Sequence, residues 1–270
     1  MSRPPEQVLR TADRFHPTGV YRVGEVVLRE ARPWSATVQA LLRHLARVGF
    51  AAAPRVVEPG FDEHGRETLT FIHGDVRSAG LWSLEGAFAV GQLFRALHEA
   101  TAGWIPPPDA VWYPWFGRDL RGPDRVIGHC DPGPWNIVSR GGLPVALIDW
   151  EWAGPVDPLI ELAQVCWLNA CLHDDIVAER EGLPSVAERG RHLRAIVDGY
   201  GLPPAQRQGF VTLITEFAIH DTAAEADRAA VRPESSPVDL DRQLPWALAW
   251  RARAASWQLR HRTALQQALA

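Results

Sequence analysis

HCDPGPWNIVSRGGLPVALIDW, residues 129–150, is the stretch on which the reading of this chain turns. Asp131 sits in a loop that follows the apolar Val126-Ile127, and Asn136 comes five residues later. Two short β-rich runs, 136–139 and 145–148, flank Gly141-Gly142. A glycine pair between such runs predicts a hairpin. Its strands bring Asn136 and Asp149 together at one end, so that an amide oxygen and a carboxylate can share one cation. Magnesium takes hard oxygen ligands, usually one or two carboxylates completed by phosphate oxygens. Phosphoryl transfer asks for little else: a group that orients the attacking hydroxyl, the metal ligands, and positive charge on the phosphates.

The pattern H-x-D-x4-N followed by I-D-W, carried here by His129, Asp131, Asn136 and Ile148-Asp149-Trp150, resembles the catalytic signature of the aminoglycoside phosphotransferase family, relatives of protein kinases. That resemblance implies a two-lobed α+β fold with a small strand-rich N-terminal lobe, a larger mostly helical C-terminal lobe, and ATP with Mg2+ in the cleft between them. It implies Asp131 as catalytic base or hydroxyl-orienting group, with Asn136 and Asp149 as magnesium ligands. His129 is expected to brace the loop by hydrogen bonding. Cys130 stands where the family commonly has glycine. The acidic and apolar stretch AGPVDPLIELAQ matches one that family members carry after the metal aspartate, and places Asp157 and Glu161 on the acceptor side.

Outward from this segment, the chain divides into an expected nucleotide lobe, 1–73, and a catalytic and substrate-binding lobe, 74–270. In the first, VYRVGEVVLRE (20–30) reads as a hairpin around Gly24-Glu25, whose leading glycine suits a type II′ turn. Ser35 opens an amphipathic run through Val38, Leu41, Leu42, Leu45 and Val48 that ends at Gly49, a helix with both boundary signals. Residues 55–57 and 67–72 read as further strands, and the hinge falls near 71–74. Helices are expected beyond Ser83 and at about 158–172, 187–200, 205–230 and 242–268. The last carries Trp246, Trp250 and Trp257, a spacing expected of core. The proline- and tryptophan-rich 104–117 can be only a connector or rim.

Kinase-like folds place a strand lysine on the nucleotide phosphates and brace it with a glutamate from the next helix. This chain contains no lysine; all 28 of its basic residues are arginine. Arg29 in VVLRE is the expected phosphate contact, since a guanidinium fork grips phosphate oxygens bidentately. The helix offers Val38 and Gln39 where the glutamate belongs, and Glu30 points to the opposite strand face. Gly19 in FHPTGV is the single glycine available for a phosphate loop. Adenine is expected against the hinge backbone of Thr70, Phe71 and Ile72.

Hydrophobic residues make up 46% and charged residues 22% of the chain, enough apolar matter for a true core. The net charge of -4, without a basic tract, argues against nucleic acid and anionic membrane as partners. The amino terminus lacks a signal-peptide core and no run spans a bilayer, so the expected location is cytoplasmic. Three cysteines with no zinc spacing are expected as buried thiols. Residues 149–181 hold eight acidic side chains against Arg180, a field that would attract a cationic small-molecule acceptor, and Glu216, Asp221 and Glu225 would extend that wall. The leading expectation is an ATP-dependent O-phosphotransferase acting on a small hydroxyl compound such as an aminoglycoside or another antibiotic. A kinase for an amino alcohol or sugar, and a nucleotide-binding pseudokinase without turnover, remain open alternatives.

Overall fold

The computed structural model describes residues 5–11, 19–77, 80–236 and 240–270. The residues up to Thr70 build one antiparallel sheet from β1 (Gln7–Arg10), β2 (Val20–Val23), β3 (Val26–Glu30), β4 (Val56–Phe61) and β5 (Arg66–Thr70), in the order β1-β2-β3-β5-β4. The predicted hairpin is β2–β3. Gly24 has φ 60° and Glu25 is not among the positive-φ residues, as a type II′ turn requires. Helix α1 (Ser35–Arg47) follows β3, with the Ser35 hydroxyl accepting from the Arg32 N–H and Gly49 at φ 80° just beyond its end. It buries Val38, Leu41, Leu42 and Leu45.

After β6 (Asp75–Val76) comes α2 (Leu84–Thr101), whose Ser83 cap accepts from the Gly86 N–H. β7 (Val126–Gly128) precedes the loop of Asp131. β8 (Ile137–Arg140) and β9 (Leu143–Leu147) form the predicted hairpin, with Gly141 at φ 57° and Gly142 at φ 79°. Both central residues of this turn lie where side chains are disfavoured, which is why glycines occupy it. β6 pairs with β8, and β10 (Gly154–Val156) pairs with β7.

The remainder is helical: α3 (Pro158–Asn169), α4 (Asp175–Glu181), α5 (Val186–Tyr200), α6 (Pro204–Arg207), α7 (Phe210–Arg228), α8 (Leu244–Arg260) and α9 (Arg262–Leu269). α2 packs on α5, α3 on α7, and α7 on α8. The large lobe is centred on Trp82, Trp150, Trp167, Trp257, Phe94 and Phe217, all fully buried. Among the described residues no helix is long and apolar enough to cross a membrane.

Several expectations need correction. Neither β1 nor α4 was anticipated. The helix expected over 205–230 is two, because Gly209 at φ 78° breaks it. The helix expected over 242–268 is also two, bent at His261. The tryptophans on it do not form one core stripe: Trp257 is fully buried, Trp250 is half-buried and Trp246 is 43% exposed. Cys130, Cys166 and Cys171 are free, buried thiols, as expected.

Candidate active site

The loop between β7 and β8 carries Asp131, and buried side chains, His129 and Glu161 among them, hold its backbone. Fully buried His129 bonds the Ile148 carbonyl through Nε2 at 2.8 Å and receives the Asp131 N–H at Nδ1 at 3.4 Å. Burial holds its pKa below the usual histidine value, so both ring nitrogens of a neutral imidazole are engaged as a brace. Cys130 takes φ 63°, a conformation that suits glycine better than cysteine. Its N–H donates to Glu161 Oε1 at 2.6 Å.

Asn136 donates its amide to the Asp131 carboxylate at 2.7 Å and to the Asp131 carbonyl at 3.0 Å. Its carbonyl oxygen is therefore the atom left for a cation. The Ile148 N–H donates to the backbone carbonyl of Asn136 at 2.9 Å, which leaves the side-chain oxygen untouched and fixes Asn136 beside Ile148, the residue preceding Asp149. Asp149 sits at φ 61°, the left-handed region, at the exit of the hairpin. Burial and the Asp149 charge, opposed by the Asn136 hydrogen bond, raise Asp131 to about 7. Among the described residues no group of three His, Cys, Asp or Glu side chains is placed to hold a metal. The candidate cation position is the pair Asn136 and Asp149.

Arg29 lies buried on β3 and makes two contacts: its Nε donates to Glu67 Oε2, and its Nη1 donates to Asp149 Oδ1 at 2.9 Å. Glu67 is directly opposite it on β5. The glutamate expected from α1 is absent there, and Gln39 instead donates to the Gly60 carbonyl at 2.7 Å. Arg10, at the end of β1, donates to the other Asp149 oxygen, Oδ2, at 2.9 Å. Arg10, Arg29, Thr70, Phe71, Ile72, Asn136 and Asp149 all line one cleft of about 430 Å³. The Thr70 and Phe71 N–H groups already donate to the Arg55 and Glu25 carbonyls, each at 2.8 Å, so they are not on offer to a base. The phosphate loop considered at FHPTGV falls largely on residues 15–18, outside the described residues.

A second cleft, about 960 Å³, opens on the other side of Asp131 and Asp149. Its walls are Trp135, Trp152, Trp246 and Trp250, with Glu151, Asp241, Arg228, Arg242 and Arg251. The expected acidic wall is there only in part: of the acids over 149–181, Asp149 and Glu151 line this cleft. Glu161 is fully buried, its second oxygen 2.5 Å from His98 Nε2, so it anchors the Asp131 loop from beneath. Gly128 is required for this close approach, since a Cβ there would lie 2.3 Å from Glu161 Oε2. Asp157 caps α3 through the Leu159 N–H at 2.8 Å and pairs with Arg121. Neither lines the cleft. Asp174 caps α4 and bonds Arg253, while Asp175 bonds Trp257 and Arg260. Asp221 and Glu225 are tied to Arg251, and Glu225 also to Arg228. Acids crowded in sequence are thus dispersed among caps and ion pairs.

Reading the residues alone missed Arg10, Glu67, His98 and Arg118. Arg118 donates to the carbonyls of Tyr113, Trp152 and Ala153, tying the proline-rich connector to the loop after Asp149. The β-rich QVLR was a signal for the strand of Arg10. The other three meet partners far away in sequence and had no local signal.

The sequence pattern of the Phosphotransferase enzyme family matches residues 108–187. A protein named trifolitoxin immunity protein, from Rhizobium leguminosarum bv. trifolii, is 56% identical over 253 residues, covering 94% of this chain and 95% of that protein. Among solved structures, an amicoumacin kinase in complex with AMP-PNP and Ca2+ superposes with a TM-score of 0.67 at 14% identity, over 93% of this chain and 88% of that one. A choline/ethanolamine kinase family protein from Mesorhizobium loti gives 0.56 at 20% identity, over 97% and 92%. These structures share the two-lobed, kinase-like α+β fold described above.

Proposed function

We propose a specific reaction for this chain, which belongs to the phosphotransferase enzyme family, kinase-type enzymes that act on an alcohol group: transfer of the γ-phosphoryl group of ATP to a hydroxyl of a small toxin or antibiotic. The observation that carries it is the convergence of Asp131, Asn136 and Asp149 where the two clefts meet. One cleft offers arginines and a hinge, and the other offers room for an acceptor.

The residues present fit a nucleotide with a divalent cation. The smaller cleft holds two arginines, an amide and a carboxylate, and the buried Arg10 Nε has no hydrogen-bond partner, an orphaned donor in a site meant for anions. Asn136 and Asp149 would hold magnesium, Arg29 would meet phosphate oxygens, and the hinge at 70–72 would meet the base through groups other than the Thr70 and Phe71 N–H. Magnesium neutralises charge that develops on the transferring phosphoryl group. Asp131 orients the acceptor hydroxyl and takes its proton at a carboxylate oxygen as the new O–P bond forms and the bond from the γ-phosphorus to the bridging oxygen breaks, that oxygen leaving with ADP. Glu161 and His129 keep its loop in place. In this reading the lobes are 1–73 and 74–270, and the protein works in the cytoplasm, where ATP is available.

The acceptor class is drawn from the relative's name, which speaks of immunity to a toxin. The absence of lysine favours a second reading, a protein that binds nucleotide and ligand without turnover. Incubation of the purified protein with magnesium-ATP and a library of hydroxyl-bearing antibiotics and toxins, while ADP release is followed, separates the two. Acceptor-dependent ADP release supports transfer. Silence throughout, despite tight ATP binding, would sink it.

A further inference from the structure

We infer that Arg10 is a second phosphate-binding residue, so that an arginine pair, Arg10 from the edge strand β1 and Arg29 from β3, forms the triphosphate site. This rests on reading the smaller cleft as the nucleotide site.

Position is the first argument. Arg10 ends β1, the edge strand paired with β2, and it lines the same cleft as Arg29 and Asp149. The two guanidinium groups bracket one carboxylate, each taking a different oxygen of Asp149 at 2.9 Å. A carboxylate gripped this way marks where a larger, more highly charged anion is matched, because the guanidinium fork suits phosphate as well as carboxylate.

Charge balance is the second. Arg29 keeps a buried partner in Glu67 whatever Asp149 does, whereas Arg10 has Asp149 as its ion-pair partner. Once Asp149 turns its oxygens to a cation, Arg10 is left without its anion. The nearest new anion in the cleft is the phosphate chain, and one divalent cation leaves part of a triphosphate's charge unmatched. The third argument is the Nε of Arg10, buried with no acceptor. An unmet buried donor is costly, and a phosphate oxygen would remove that cost.

The competing role for Arg10 is a latch that only rivals the cation for Asp149, and it predicts the opposite sign. The full chain and its Arg10→Ala variant are titrated calorimetrically with ATP and with adenosine at saturating Mg2+. Phosphate binding predicts ATP affinity at least about 10-fold weaker in the variant, in line with a lost charge-assisted hydrogen bond. Adenosine affinity should stay within about two-fold. ATP binding that is unchanged or tighter in Arg10→Ala overturns the inference, as does a parallel loss for adenosine, which would mean that β1 had merely been disturbed. An Arg10→Lys variant that recovers part of the ATP affinity supports it further. If the wild-type chain binds neither ligand, the nucleotide reading of the cleft falls and takes Arg10 with it. If wild type binds both and the variant matches it, only Arg10 is removed.

Discussion

Arg29 and Glu67 face each other as registered partners across β3 and β5, joined by a buried ion pair that leaves a second arm of the arginine on Asp149. The brace for the phosphate-side cation thus comes from the sheet and not from the helix behind it. Burial works against the Arg29 charge, but Glu67 and Asp149 outweigh it and hold the guanidinium above its ordinary pKa. The change of lysine to arginine and the relocation of the carboxylate belong together: a longer, forked cation can span two carboxylates that a point charge could not.

Glu67→Gln tests this pairing with little change of shape. Arg29 keeps Asp149 but loses its fixed partner, so ATP affinity should fall by about 10-fold, the worth of a charge-assisted hydrogen bond. Glu67→Ala should also destabilise the chain by about 3–5 kcal/mol, because a buried charge is left under-compensated. Calorimetric ATP titration and urea unfolding read the two effects. Wild-type behaviour in both variants would show that the pair is incidental.

How far the site could be read from residues alone follows from the range of each interaction. The hairpin 137–147, its glycine turn and the His129-Asp131-Asn136 spacing are local, and their readings match the observed backbone. Arg29 was found because it stands at the strand position where kinase-like folds carry their lysine. Glu67 could not be found, because β3 pairs with β5 across an intervening helix and strand. Most of the acidic wall failed for a related reason. Sequence density of charge says nothing of partners, and Asp157, Glu161, Asp174 and Asp221 each meet a cap, a loop N–H or an arginine from a distant element. The tryptophans of 242–268 misled because α8 forms part of the cleft wall: Trp246 and Trp250 line the larger cleft, while Trp257 on the same helix packs into the core.

Asp131 should set the pH dependence of turnover. Burial and Asp149 raise it to about 7, so below that pH the carboxyl is protonated and cannot accept the hydroxyl proton. kcat/KM, which reports the free enzyme, should climb about tenfold per pH unit up to about 7 and then level. Asp131→Asn, which keeps an oxygen for the Asn136 amide, should lower kcat by about 10² to 10⁴ and abolish this limb. Turnover within a few-fold of wild type would remove Asp131 from its role.

Glu161 is a positioning residue whose loss should appear in stability as well as rate. Burial favours its neutral form, but the hydrogen bond and charge of His98, with the Cys130 N–H, outweigh burial and hold its pKa below the ordinary value. A depressed carboxylate stabilises the fold fully above its unfolded pKa. That contribution fades as pH falls through about 4 and below. Urea midpoints of the wild type should therefore drop on acidification, and Glu161→Gln should lack this part of the drop. Glu161→Ala should cost about 3–5 kcal/mol at neutral pH, because His98 and the loop N–H lose their anion. An Ala variant of wild-type stability would refute the anchor.

Trp246 provides the cleanest test of which cleft takes the acceptor. Trp250 serves two roles: it lines the larger cleft but also stacks on core Trp167, with ring centroids 5.1 Å apart, so its removal confuses folding with binding. Trp246 lies about one helical turn earlier on α8, lines the same cleft and is 43% exposed. Its replacement by alanine should shift stability by no more than about 0.5 kcal/mol, as for other surface positions. An acceptor that lies against the indole would lose about 0.5–1.5 kcal/mol of aromatic contact, a rise in acceptor KM of about 2- to 10-fold. The KM for ATP should stay within about two-fold, because Trp246 does not border the smaller cleft. Steady-state kinetics with whichever acceptor the library yields would read both constants at once. A rise confined to ATP, or no change in either constant, would mean that the tryptophan-walled cleft is not where the hydroxyl substrate binds.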